Sequence, residues 1–255
     1  TEAFAMNYYK FIDHTKIEFD FLVESTSKII NPDDVKKYGN GKIIIIPSYE
    51  KPIKYVHKLT QIFKNEKYDI VHSNMNTISV LTLKAAKKAG VKIRIAHSHS
   101  TANGREFFKT MIKNLLRPFS KLYANYFFAC SAQAGAWLFG KGFVKAGRVT
   151  IIKDAIQLDR FKFNEEKRES IRRDLSINKD SVVIGNIGRF QPQKNQIFLL
   201  SVFKEYHLLH PNSFLLLVGG GPQQETLQCK AKKLMINNWV IFVGNKKDVS
   251  PFYSA

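Results

Sequence analysis

A chain of 255 residues with 44% hydrophobic and 13% aromatic side chains buries one large core or two modest ones, which excludes a disordered segment and a disulfide-stapled mini-domain. Forty Lys and Arg against twenty-one Asp and Glu leave a net charge of +19, which favours phosphates, nucleic acid or an anionic membrane as partners over cations. Cys130 and Cys229 stand in no Cys-x-x-Cys or Cys/His arrangement and no apolar run nears the roughly 20 residues that span a bilayer, so the sequence implies no disulfide framework, no structural zinc, no membrane span or leader, and a reducing cytoplasmic setting.

Short apolar runs alternate with amphipathic stretches, the pattern of parallel strands covered by helices. Strands are predicted at 18–24, 42–47, 69–73, 92–97, 126–130 and 149–153. Crossover helices are predicted at 52–66, 77–89 and 105–124, where apolar residues recur three and four apart among Lys and Arg. From Gln157 to Asn178 the apolar content falls, and Asn164-Glu165-Glu166-Lys167-Arg168-Glu169 reads as a linker running into a surface helix, which places a domain boundary near 163. The alternation then resumes with a strand at 182–185, a helix at 195–209, a strand at 214–218, a helix after Pro222 and a strand at 239–243. Three strands, against the five or six of a doubly wound domain, leave the second sheet incomplete at Ala255. The expected architecture is α/β, with two Rossmann-like doubly wound parallel-sheet domains at 1–163 and 164–255, the second incomplete. The first carries net +14 and the second +5.

The first chemistry-bearing segment is Gly185-Asn186-Ile187-Gly188-Arg189-Phe190-Gln191-Pro192-Gln193-Lys194-Asn195, which leaves a strand through glycines and enters a helix. Loops at strand C-termini bind ligands in open α/β sheets, and two cations beside a helix start can grip a diphosphate; a plain glycine turn with two solvated cations fits the spacing equally well. A second turn, Gly219-Gly220-Gly221-Pro222, follows the next strand and should lie at the same sheet edge, where Gly220 permits close backbone approach. Neither turn matches Gly-x-Gly-x-x-Gly or a P-loop. A nicotinamide-dependent oxidoreductase needs an acidic ribose partner about 20 residues on, and only Glu205, in the middle of a predicted helix, stands there.

His97 and His99 end a strand two residues apart and so share a face, with His72 ending the preceding strand. With no third ligand near them in sequence, metal binding is not expected; a packed, hydrogen-bonded structural histidine is the other reading of each, and it fits His97 better than His99. Ser131 lacks a nucleophile elbow and reads as a helix cap. Arg105, Lys109, Lys113, Arg117 and Lys121 recur every four residues beside Phe108, Met111, Ile112, Leu115, Phe119 and Leu122, and Pro118 should kink that helix. Such a face can lie on an anionic membrane or be a solvated side of a crossover helix. No nucleic-acid motif accompanies the charge.

The stretch 182–200, with Gly188-Arg189-Phe190 and Lys194-Asn195, resembles the start of the donor domain of retaining GT-B glycosyltransferases of family 4, most closely the capsular and exopolysaccharide branch. The likeness continues in order through 2–9, 19–23, Asp69-Ile70-Val71-His72-Ser73-Asn74, Arg94-Ile95-Ala96-His97-Ser98-His99-Ser100, 152–156, 219–222 and 240–244. The chain departs from the pattern in starting after the family's Gly-Gly loop and stopping before its Glu-x₇-Glu pair. Lys153-Asp154-Ala155 also stands where Pro-Asn-Gly is usual. The resemblance implies a nucleotide-sugar donor gripped at Arg189, Lys194, Gly188 and Gly220, and a sugar contact from His99, with His72 and His97 as further cleft candidates. It also implies a glycan or lipid-linked acceptor, no metal or other cofactor, and peripheral contact with the inner membrane face. A catalytically incomplete GT-B-like binding fragment is the non-enzymatic alternative.

Overall fold

A computed structural model describes residues 2–25, 31–100, 111 and 114–255, and the chain divides into two compact units, Thr1–Ile156 and Gln157–Ala255. In the first unit β1 (Phe21–Glu24) pairs with β2 (Ile43–Ile46), and a second sheet runs β3 (Ile70–Ser73), β4 (Ile93–Ser98), β5 (Tyr126–Ala129) and β6 (Thr150–Ile151), every pair parallel. The helices described in this unit are α1 (Glu2–Tyr9), α2 (Pro32–Tyr38), α3 (Pro52–Glu66), α4 (Ser79–Lys88), α5 (Ala132–Phe139) and α6 (Lys141–Lys145). The chain needs helices here because parallel neighbours can be joined only by crossovers. In α3 that crossover buries Tyr55, Leu59, Ile62 and Phe63 on one stripe. It ends where Lys67 turns left-handed and returns its N–H to the Phe63 carbonyl at 3.2 Å.

The strands are shorter than the apolar runs suggest, for a local reason. The segment before Phe21 does not enter the ladder, because Glu18 and Asp20 accept from the backbone N–H groups of Asn40 at 3.0 Å and Lys42 at 2.8 Å. Side chains there do what strand pairing would otherwise do. Ser131 caps α5 by accepting from the N–H of Ala134, as its position suggested. The predicted helix at 105–124 needs correction at its end. Arg117–Lys121 is a 3₁₀ turn containing Pro118, so Arg117 and Lys121 no longer stack at four-residue spacing. Arg105, Lys109 and Lys113 lie outside the described residues. Met111, Leu115, Phe119 and Leu122 are exposed.

In the second unit β7 (Val182–Ile187), β8 (Ser213–Val218) and β9 (Val240–Gly244) form a parallel three-stranded sheet in chain order, with α7 (Glu165–Asp174), α8 (Gln196–Leu209) and α9 (Gln224–Lys233). Phe190, Leu200, Phe203, Leu215, Leu217 and Leu227 make its core. This unit begins at Gln157, seven residues before the start expected at 164. The turn Leu158–Phe161 is held to the unit's own C-terminal end, through Arg160 on Asp248 at 3.0 Å and Phe161 edge-on to Tyr253 at 5.0 Å. Among the described residues no helix is long and apolar enough to cross a membrane.

Candidate functional site

The expected site residues fall into two groups, one in each unit. In the first unit β4 is covered so fully that Ile95, Ala96, His97 and Ser98 are all buried, which carries a histidine into a dry interior at the end of the strand. His72 lies opposite Ile95 in the parallel register, placing it diagonal to His97. The pair is bonded, His72 Nε2 to His97 Nδ1, at 2.9 Å. His97 Nε2 is buried with no described partner. A bare lone pair there costs less than an unmade N–H bond, so the favoured arrangement has His97 Nδ1–H donating to His72 Nε2.

His99 stacks on His97 with ring centroids 4.0 Å apart, confirming the shared face. Its backbone N–H donates to Asn76 Oδ1 and its ring Nε2 meets Asn74 Oδ1, both at 2.8 Å. Phe4 from α1 closes the cluster, edge-on to His97 at 4.9 Å and to His99 at 5.2 Å. That helix is anchored by the fully buried Tyr9, whose hydroxyl donates to Glu18 and accepts from the N–H of Gly41, each at 2.9 Å. Burial pushes the imidazoles down, His72 to about 4, His97 to about 3 and His99 to about 4, with mutual repulsion adding to the shift at His72 and His97. All three rings are therefore neutral at pH 7. No group of three His, Cys, Asp or Glu suited to a metal occurs among the described residues.

In the second unit the two glycine turns meet at one sheet edge, as expected. The N–H of Phe190 donates to Gly220 O at 2.9 Å, Gln223 returns its N–H to Phe190 O at 3.2 Å, and Gly188 N–H reaches Val218 O at 2.9 Å. A Cβ on Gly219 would overlap the Gly188 carbonyl oxygen, and its φ of +143 is one that L side chains rarely adopt. The fully buried Phe190 pins the loop from below, while the buried Gln196 donates from Nε2 to Arg189 O at 3.2 Å and to Asn186 Oδ1 at 3.3 Å. The loop backbone is thus fixed on both sides of Arg189. Arg189 and Lys194 themselves are exposed and form no ion pair with a described residue. The stem of Lys194 passes over Gly188, its Cε 3.7 Å from where a Cβ would stand. Chemically this is a rigid backbone turn carrying two free cations, suited to an anion with several oxygens.

Four contributors escape a reading of the sequence: Phe4, Asn74, Asn76 and Gln196. Asn76 leaves one signal, since its left-handed φ of 51 is a conformation that asparagine tolerates better than most residues.

A family model described as Glycosyltransferase Family 4 matches residues 17–160, and one described as Glycosyl transferases group 1 matches residues 167–255. The putative glycosyltransferase EpsF of Bacillus subtilis strain 168 is 27% identical over 253 residues, 97% of this chain and 66% of its own length. The Escherichia coli UDP-Gal:alpha-D-GlcNAc-diphosphoundecaprenol alpha-1,3-galactosyltransferase is 23% identical over 201 residues, 74% of this chain and 52% of its own length. Anabaena HepE, crystallised with UDP and glucose, has a TM-score of 0.76 at 17% identity, covering all of this chain and 67% of that one. This chain thus spans two-thirds or less of the length of those two curated relatives. At such identity the structural likeness shows the fold, α/β with parallel sheets of the GT-B kind, and a fold alone does not choose a reaction.

Proposed function

From a chain that belongs to glycosyltransferase family 4, we infer that the protein moves a sugar, with retention, from a nucleoside-diphosphate donor to a glycan or lipid-linked acceptor of cell-surface polysaccharide synthesis. The carrying observation is the bonded pair of glycine turns that holds Arg189 and Lys194 free at the ends of β7 and β8. In this reading residues 164–255 hold the donor, with Arg189, Lys194 and the backbone at Gly188 and Gly220 on the diphosphate. The two cations neutralise the charge that grows on the leaving group, an effect largest in the transition state. Residues 1–163 serve the acceptor, and His99 contacts the transferred sugar near its reacting carbon. His72 and His97 hold that ring in place. No metal is needed where two side-chain cations supply the charge.

Three further facts support the reading. The HepE structures contain UDP, with glucose in one case and as UDP-glucose in another. EpsF is named as a glycosyltransferase, and the Escherichia coli relative is named for an acceptor on diphosphoundecaprenol. The exposed Met111, Leu115, Phe119 and Leu122 beside Arg117 suit peripheral contact with an anionic membrane, where a lipid-linked acceptor resides. Calorimetric titration with UDP tests the donor grip: wild-type protein should bind, and Arg189→Ala should lose about 10- to 100-fold in affinity, the worth of a charge-assisted bidentate contact. Equal affinity in the two proteins would remove the diphosphate from this loop.

A further inference from the structure

Of the three clustered imidazoles, His72 and His97 share a hydrogen bond between them, and His97 is fully buried. His99 is half-buried, at one end of the stack. Its surroundings fix its chemistry. The Asn76 carboxamide oxygen takes the His99 backbone N–H, which sets the position of the ring's own residue. The Asn74 carboxamide oxygen stands 2.8 Å from ring Nε2. With the Asn74 carboxamide turned oxygen-first, the acceptor has lone pairs and no proton to give, so Nε2 carries the hydrogen of that bond. In a neutral ring the second nitrogen, Nδ1, is then an unprotonated acceptor.

We propose that Asn74 is a positioning residue which bonds His99 at Nε2 and thereby leaves Nδ1 as the ring's acceptor towards substrate. A lone pair at that point accepts from a hydroxyl and repels a group that has only acceptor oxygens. The sugar contacted there is one bearing a free hydroxyl, not a carboxylate or phosphate. This substrate consequence rests on the placement of His99 at the sugar, as inferred above; the bond to Asn74 does not. Among the described residues, the charged or titratable groups facing His99 are His97 on its own strand, His72 from β3 and Asp154 from the segment after β6; Phe4, Asn74 and Asn76 carry no charge.

Proton-detected spectra of protein labelled with ¹⁵N-histidine read the bond directly, with His99 assigned by the signal missing in His99→Gln. Free imidazole already favours the Nε2–H form, so the diagnostic quantities are proton exchange and titration. A slowly exchanging His99 Nε2–H is expected in wild type and in Asn74→Asp, and at least about tenfold faster exchange in Asn74→Leu. In Asn74→Asp a carboxylate replaces the amide oxygen, so His99 should take its second proton at a pH about one unit higher. An Nδ1–H wild-type ring, or unchanged exchange in Asn74→Leu with the His72 and His97 signals intact, would overturn the assignment. If Asn74→Leu does not fold, an Asn74→Asp titration identical to wild type overturns it instead. Spectra as expected, combined with full turnover in His99→Ala, would uphold the bond and defeat the sugar contact.

Discussion

Two strand-end sites in this chain reach rigidity by opposite means. At β3 and β4 the groups are aromatic and neutral, with His97 fully buried, and ring stacking and amide bonds fix their orientation. At β7 and β8 the candidate groups are exposed cations, and the rigidity lies in the backbone beneath them, where two glycine turns are bonded face to face. The first arrangement suits a contact that must choose an orientation and a hydrogen-bond sense, because a dry site penalises a mismatched polar group. The second suits a flexible, highly charged ligand, because long cationic side chains adapt while a fixed loop sets where they start.

The sharpest way to break this comparison is to disturb the loop backbone while leaving its cations alone. Gly219→Ala forces a Cβ onto the Gly188 carbonyl oxygen at a φ only glycine adopts readily. It should lower the stability of the second unit by roughly 2–4 kcal/mol and abolish UDP binding, read by thermal denaturation and calorimetry. Gly185→Ala, with nothing within 4 Å of the added methyl, is the control and should stay within about 0.5 kcal/mol of wild type.

In the first unit, substitutions at neighbouring histidines should separate by kind. His97→Ala empties a fully buried position and strands His72 Nε2, so it should cost roughly 2–4 kcal/mol of stability and disturb turnover less than His99→Ala does. His99→Ala should lower kcat about 100-fold in the intact protein while donor affinity stays near wild type. The reverse ranking on turnover, with both variants folded by circular dichroism, would move the sugar contact to His97.

Much of the first site was legible from strand periodicity alone. Two residues apart at the end of an apolar run is enough to put His97 and His99 on one face. The His72 to His97 bond was not, because it depends on β3 and β4 being neighbours in a register that pairs His72 with Ile95. Phe4 is further out of reach: it arrives from a helix 93 positions earlier, held in place by Tyr9. In the second unit both glycine turns and both cations could be read off directly, since glycine marks the backbone that needs it. The bonds joining the turns could not, and neither could the role of Gln196, which in sequence is only a polar residue at a helix start. The rule that failed was helical periodicity at 117–121, where Pro118 removes a donor and the chain tightens to a 3₁₀ turn.

The histidine cluster also predicts an asymmetric response to acid. The unfolded chain protonates its histidines near 6.5, while the folded rings resist to about 3 or 4. Their contribution to stability is therefore whole above pH 6.5 and is lost as pH falls towards the folded values, because the unfolded state binds more protons. Between about pH 6.5 and 4.5 the loss, of order 1–2 kcal/mol for each histidine once solvent screening is allowed for, should belong mainly to the first unit. Trp137 and Trp239, the only tryptophans, report one unit each. In single-tryptophan variants the urea midpoint at Trp137 should fall between pH 7 and pH 5 more than that at Trp239. Equal falls would mean that the histidines do not set the difference.

The smallest expected effect concerns charge outside both sites. The first 163 residues carry net +14 against +5 for the rest, and Leu115, Phe119 and Leu122 are exposed beside Arg117. A cation near an anionic membrane surface is worth about 1 kcal/mol, and its reach is about 8 Å at physiological salt. Binding to anionic vesicles should therefore follow the first unit, weaken as salt rises, and be absent with neutral vesicles. Lys121 lies over the Phe143 ring at 5.1 Å and is left in place, so the charge is removed by changing Lys109, Lys113 and Arg117 to Gln. That triple variant should sediment severalfold less with anionic vesicles while UDP affinity, which we assign to the second unit, stays unchanged. Undiminished sedimentation at low salt would make the basic run a solvated face, and the exposed apolar residues beside it would need another partner than lipid.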